Sequence, residues 1–178
     1  QEPNWAFLEY LKGATHDDPD RLGFPERAYT ELRSATASAL DAVADFPRAL
    51  FRLALDVDPL AAVRDPLRLL RDSAYHDLCF SILSAARITS RQSAYQARLL
   101  FGLEPHDIQR LRSLPLTELQ ALARSPDIVE CAFPDRAWLW KKLLSEMRPE
   151  ERRRLALVAL QPGLAREWPQ RRAPQAVS

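Results

Sequence analysis

Apolar residues recur at helical spacing through most of the chain, and polar runs containing proline or glycine separate the apolar segments. Positions 73–87 form the most apolar segment, with a broad stripe that needs cover on more than one side. Segments 26–46, 48–55 and 60–70 also have helical spacing, whereas no segment alternates apolar and polar residues as a half-buried strand does. The pattern therefore predicts an all-α fold, an orthogonal bundle of about nine short helices.

The centre of the chain has the clearest helix boundaries. An apolar helical run reaches Phe101 and stops at Gly102, which can take the left-handed conformation that ends a helix. A second short helix is predicted from Pro105, with Asp107 in its first turn, and a third from Leu116. Two short helices around a glycine turn outline a helix-turn-helix unit, although a helical hairpin that only packs a core has the same pattern.

Polar side chains on this central unit are candidates for reading DNA. Arginine and glutamine suit the edges of guanine and adenine in the major groove, and basic side chains hold phosphates. The alternative is that these side chains only solvate a helix surface. The six candidates are Arg91, Gln92, His106, Gln109, Arg110 and Arg112.

Several short matches between 82 and 135 carry a family resemblance. They are the pairs Ala86-Arg87 and Ser93-Ala94, the segments 98–103 and 114–116, and the run from Ile128 to Asp135. This part of the chain resembles the flagellar transcriptional activator FlhD. The resemblance implies a small all-helical protein that acts on promoter DNA as a dimer or together with a different partner protein. It also implies a cysteine near Cys131 that bridges two protomers, although the alignment here is offset by one residue.

The formal charge of +1 is unevenly distributed. Residues 1–77 hold 9 basic and 14 acidic side chains, 78–135 hold 6 of each, and 136–178 hold 10 basic and 4 acidic ones. A basic end favours an acidic partner, and DNA is one such partner. We predict an acidic N-terminal helical region (1–77), an FlhD-like helical core (78–135), basic C-terminal helices (136–160) and a flexible tail (161–178), with 1–160 forming one compact domain.

Common catalytic and metal-binding motifs are missing from the sequence. It contains no Gly-rich phosphate loop, no GxSxG and no HExxH motif. Its two cysteines lack zinc-ligand spacing; Cys79 is expected to be buried and Cys131 to be accessible at the start of a loop. No apolar run approaches the roughly 20 residues of a membrane helix, and no signal peptide is visible. We therefore expect a cytoplasmic, non-enzymatic protein with no cofactor, no metal, no small-molecule substrate and no membrane contact.

Two functions remain open on these grounds. The first is an FlhD-like bacterial transcriptional regulator that binds promoter DNA as a dimer or with a partner protein. The second is a non-enzymatic helical adaptor, chaperone or accessory component of a larger bacterial assembly. Protein contacts are predicted at Trp138, Trp140, Arg152 and Arg153, because tryptophan and arginine are favoured at protein interfaces.

Overall fold

A computed structural model describes residues 2–13, 22–56, 73–125, 127–145, 150, 151, 154 and 155. The predicted all-α class is confirmed, since helices account for most of these residues. The helices are α1 (Glu2–Gly13), α2 (Glu26–Ser34), α3 (Ala37–Ala44), α4 (Ser73–Gln92), α5 (Ala94–Phe101), α6 (Pro105–Ser113), α7 (Leu116–Ala123) and α8 (Ala137–Leu144). Two short strands accompany them, β1 (Phe51–Leu53) and β2 (Val129–Cys131).

The chain divides into two compact units, 1–147 and 148–178. Every helix and strand named above lies in the first unit, and the described residues of the second unit are helical. Helix α4 runs across the predicted division between 77 and 78. The predicted helix over 60–70 and the predicted tail from 161 lie outside the described residues.

The two strands form an antiparallel pair, in which Phe51 lies opposite Cys131 and Leu53 opposite Val129. The prediction of a helix over 48–55 and of no strand is therefore wrong. Three residues are too few to show alternation in the sequence, and the pairing partner is distant along the chain. In β2 the side chains of Val129 and Cys131 are buried, and between them Glu130 pairs with Arg52 at 2.8 Å.

Cys131 is buried rather than accessible. Only 1% of the residue is exposed, and the burial raises the pKa of its thiol to about 12. A thiol with no access to solvent and so little thiolate cannot exchange with a second protomer while the fold is intact. The burial of Cys131 in this fold therefore disfavours the bridging role that the resemblance implies for a cysteine near this position. Cys79 is buried as expected.

The segment predicted as one helix over 26–46 is two helices, α2 and α3. The break falls at Ala35 and Thr36. The Thr36 hydroxyl accepts a hydrogen bond from the amide of Ala39 at 3.2 Å, which caps the second helix. The ammonium of Lys12 donates to the Ala35 carbonyl at 2.8 Å, so the carbonyl freed at the break has a partner from α1.

Helix α4 is the centre of the bundle, because α1, α5, α6 and α7 all pack against it. It buries Leu78, Cys79, Ile82, Leu83 and Ala86 among these neighbours. Helices α2 and α3 pack against α1 and also against α8. The broad apolar stripe predicted for 73–87 therefore has its cover within one chain.

Asn4 holds the connection between α3 and β1 against the first helix. It is buried, and its amide Nδ2 donates to the carbonyls of Ala44, Phe46 and Arg48 at 3.3, 3.2 and 3.0 Å. Its Oδ1 accepts from the amide of Leu50 at 2.9 Å. Asparagine often caps a helix, but Asn4 lies inside α1, which begins at Glu2, and its side chain bonds to a different part of the chain.

Candidate functional site

The glycine turn at the centre of the chain has the predicted local structure. Ser93 caps α5 by accepting from the amide of Gln96 at 3.2 Å, and Gly102 ends this helix with a positive φ of 67°. Helix α6 begins with a capping box, in which Glu104 and Asp107 satisfy each other's backbone amides. Helices α5 and α6 also pack against each other. The predicted helix pair is present, and its use in DNA reading stays a prediction.

The six predicted DNA contacts fall into two groups. Gln92, His106 and Gln109 are exposed. The three arginines make hydrogen bonds to main-chain carbonyls, and of these three Arg91 is also exposed while Arg110 and Arg112 are half-buried. Arg112 Nε donates to the Ser90 carbonyl at 2.6 Å, Arg91 Nη2 donates to the Arg112 carbonyl at 3.2 Å, and Arg110 Nη1 donates to the Leu55 carbonyl.

These arginine hydrogen bonds connect α6 to the elements packed against it. Arg91 and Arg112 link the end of α4 to α6 from both sides, and Arg110 links α6 to the residues after β1. Replacing Arg110 or Arg112 would therefore disturb packing as well as any contact with a ligand. Gln109 and His106 are the better positions at which to test DNA binding, because their side chains face solvent.

Asp56, His106 and Asp107 bring their potential metal-ligating atoms within 4.8 Å of one another. One imidazole and two carboxylates suit a divalent cation of intermediate softness. However, Asp107 already accepts the amide of Glu104 in the capping box, and Asp56 and His106 are exposed. No spacing motif points to this cluster, because Asp56 joins it only through the fold.

The predicted protein-binding residues have different environments. Trp138 is 51% exposed, so it is available for contact. Trp140 has no exposed surface; its ring centroid lies 4.6 Å from that of Phe24, and its indole Nε1 donates to the Phe133 carbonyl at 3.2 Å. The prediction of an interface anchor at Trp140 is wrong, because the side chain is part of the core. Arg152 and Arg153 lie outside the described residues.

A set of large apolar side chains on α4 and α5 is exposed. Tyr95 is 74% exposed, and Ile88, Leu99 and Leu100 are also exposed. Tyr95 and Leu99 lie one helical turn apart, so they form a pair on the outer side of α5. Ile88 and Leu100 lie in a groove between α4 and α5. We call Ile88, Tyr95, Leu99 and Leu100 the α4–α5 apolar surface.

The groove has a volume of about 730 Å³ and also contacts the start of α1 and the connection between α3 and β1. Its walls are joined where the amide of Ala49 donates to the Leu100 carbonyl at 2.7 Å. Phe46 and Phe101 contribute aromatic surface to its lining.

Arg48 provides the half-buried charge in this groove. Burial lowers the pKa of its guanidinium, and within the described residues the side chain has no ion pair or hydrogen bond. Glu2 and Asp45 also line the groove, and both are exposed. The guanidinium lies so close to Gly102 that a Cβ atom there would be 2.6 Å from Nη2.

Sequence reasoning misses both Arg48 and the groove. Arg48 falls on a predicted helix, and its actual position depends on Asn4 and Leu100, which are remote in sequence. One signal is available in the sequence. Helix α5 has more apolar positions than one buried face needs, and the structure buries Ala97 and Phe101 while leaving Tyr95 and Leu99 outside.

Comparison of the chain with protein-family models, curated protein sequences and solved structures finds no match. The FlhD resemblance therefore stays a prediction. Among the described residues, no helix combines the length and the apolar character that crossing a membrane requires.

Proposed function

We propose that this chain is a non-enzymatic helical binding module, an adaptor or accessory component, that captures a segment of a partner protein on the α4–α5 apolar surface. The exposure of Ile88, Tyr95, Leu99 and Leu100 on two adjacent helices is the observation that carries the proposal. Exposed apolar side chains that cluster on one surface are typical of interaction sites. Burying them yields about 25 cal/mol for each Å² of apolar area removed from water.

The scaffold beneath this surface supports such a role. Helix α5 is fixed to the core by Ala97 and Phe101, and its neighbour α4 is packed on by four helices. A rigid surface loses little conformational entropy on binding. An apolar strip beside a groove fits a short amphipathic helix or an extended segment, in which a few side chains act as anchors.

Peptide selection provides the test. A random peptide library displayed on phage is panned against the immobilised full chain, and the selected peptides are synthesised and titrated against wild type. We expect Leu99→Asp to weaken their binding by roughly tenfold or more, since it places a charge in an apolar contact. Gln120→Asp, which places the same charge at an exposed position of α7 outside the α4–α5 apolar surface and the groove, is the matched control and should retain binding.

Circular dichroism of both variants checks that the helices are intact. The proposal is overturned if no peptide binds wild type above an unrelated helical protein. It is also overturned if the selected peptides bind Leu99→Asp as tightly as Gln120→Asp, because the peptides would then contact another surface.

DNA binding by an FlhD-like regulator is the second candidate function. Five arginines occur between 87 and 112 beside two acidic residues, Glu104 and Asp107. Gln92, His106 and Gln109 are exposed next to them. Exposed glutamine among arginines is the residue combination that reads base edges while phosphates are held.

An electrophoretic shift assay with promoter fragments at two salt concentrations tests this candidate. Phosphate contacts make binding weaker at the higher salt concentration. His106→Ala with Gln109→Ala should reduce the shift without loss of helical signal, whereas Gln96→Ala on the outer side of α5 serves as the control. The absence of a salt-dependent shift, with the chain alone or with a co-expressed partner, removes this candidate.

A further inference from the structure

Arg48 has the position of a recognition residue in the groove beside the α4–α5 apolar surface. Its main chain is fixed from two sides, since its carbonyl accepts from Asn4 at 3.0 Å and the next amide, that of Ala49, donates to Leu100 at 2.7 Å. A fixed backbone holds the start of the side chain in place before any ligand arrives. Arg48 lines the groove, and its guanidinium lies beside Gly102 at the end of α5.

The guanidinium of Arg48 is available to a ligand. It is half-buried, burial lowers its pKa, and it makes no ion pair or hydrogen bond within the described residues. Guanidinium N–H groups match the two oxygens of a carboxylate in geometry and charge. A charge-assisted hydrogen bond in such a partly dry place is stronger than one at an open surface.

The other charged residues of the groove restrict the kind of anion that fits. Glu2 and Asp45 line the same groove, and both are exposed to water. They oppose a polyanion such as nucleic acid, which would bring many negative charges past them. A segment with a single carboxylate brings only one negative charge to the groove and so meets less of this repulsion, while Ile88 and Leu100 can contact the apolar residues next to that acid.

We propose that Arg48 binds the carboxylate of an aspartate or glutamate in the partner segment, with apolar residues next to that acid on the α4–α5 apolar surface. This inference rests on the proposed function, since it names the chemistry of the same partner. Gly102 leaves room for the guanidinium. A side chain at position 102 would collide with the Arg48 guanidinium and displace it.

Parallel panning of the same phage library on wild type, Arg48→Gln and Arg98→Gln tests the inference. Arg98 is exposed on α5 and does not line the groove, so its substitution makes the same change of charge outside the site. Peptides selected on wild type and on Arg98→Gln should share an aspartate or glutamate flanked by apolar residues. Selection on Arg48→Gln should lose that acid while retaining the apolar residues.

A selected peptide and its copy with the acid changed to the amide complete the test by titration. Arg48→Gln should weaken binding of the acidic peptide by about tenfold or more, the size of a hydrogen bond to a charged group. Its effect on the amide peptide should be less than about twofold. If Arg48→Gln changes both peptides equally or neither, the inference is wrong, while the sensitivity to Leu99→Asp shows whether the proposed function still stands. If no peptide binds, both fail.

Discussion

Trp138 and Trp140 lie two residues apart on α8 and have opposite environments. Residues at this spacing point about 200° apart around a helix, so one can face the core while the other faces water. The sequence predicts both on a short helix but does not say which face α2 and α3 cover. That depends on how α8 packs, and the packing is set by remote residues such as Phe24.

The two tryptophans give a paired prediction of stability. Trp140→Ala should lower the free energy of unfolding by about 3–5 kcal/mol, because it empties a fully buried site and removes one of the two donors to the Phe133 carbonyl, leaving only the Arg136 amide. Trp138→Ala should change it by less than about 0.5 kcal/mol. Urea unfolding of the two variants and wild type measures both values. Similar losses for both would contradict the assignment of Trp140 to the core.

The buried thiol of Cys131 should make the stability of the protein depend on pH. Its pKa is raised from about 9 to about 12 by burial, so the stability that the protonated thiol supports is fully present below pH 9 and is lost as the pH rises towards 12. In that range the free energy of unfolding should fall by up to about 1.4 kcal/mol per pH unit from this group alone. Urea unfolding at pH 8, 9.5 and 10.5 measures the slope. The free energy of unfolding of Cys131→Ala should fall less steeply with pH than that of wild type. Equal slopes would show that the thiol does not cause the pH dependence.

Among the helices and strands, those with local signals are predicted well. The turn at Gly102, the helix start at Pro105 and the helix at 94–101 depend on neighbouring residues, and the structure confirms them. The break at Thr36 is missed because apolar periodicity continues through it, although threonine is a good cap. Strand β1 is missed because its structure depends on pairing with β2.

The positive φ of Gly102 leads to a prediction about the stability of one helix end, that of α5. Gly102→Ala should lower the free energy of unfolding by about 1–2 kcal/mol, because φ is positive there and the new Cβ meets Arg48. Gly13→Ala is the matched control: it also lies at a helix end, has no positive φ, and its Cβ would meet nothing within 4 Å. Thermal unfolding of the two variants compares them. Equal changes in melting temperature would show that the turn has no special conformational requirement.

For the compact unit as a whole, the sequence predicts the class and the central helix but not the long-range connections. The breadth of the apolar stripe on 73–87 indicates a helix covered on several sides, and α4 has this cover. Asn4 is the opposite case. An asparagine just before an apolar helical run favours a helix cap, and only the folded chain brings four main-chain partners of the segment 44–50 to Asn4.

Asn4 is therefore predicted to matter for the stability of the whole unit. Asn4→Ala leaves buried carbonyls and the Leu50 amide without partners, and we expect the free energy of unfolding to fall by about 2–4 kcal/mol. Glu9→Ala, at an exposed position of the same helix, should have little effect. Urea unfolding followed by circular dichroism measures both. A loss below about 0.5 kcal/mol for Asn4→Ala would show that water replaces its side chain.

The pairing of β1 with β2 also has a consequence for protein synthesis. Phe51 meets its partner Cys131 only after α4 to α7 have been made, although these helices contact one another locally and can assemble early. Phe7, which contacts Phe51, is made earlier, but a nascent chain keeps Phe51 without its partner in β2 until β2 has left the ribosome. During that interval the segment leading up to Phe51 is the part of the chain on which chaperones would act and where premature termination would produce an aggregating fragment.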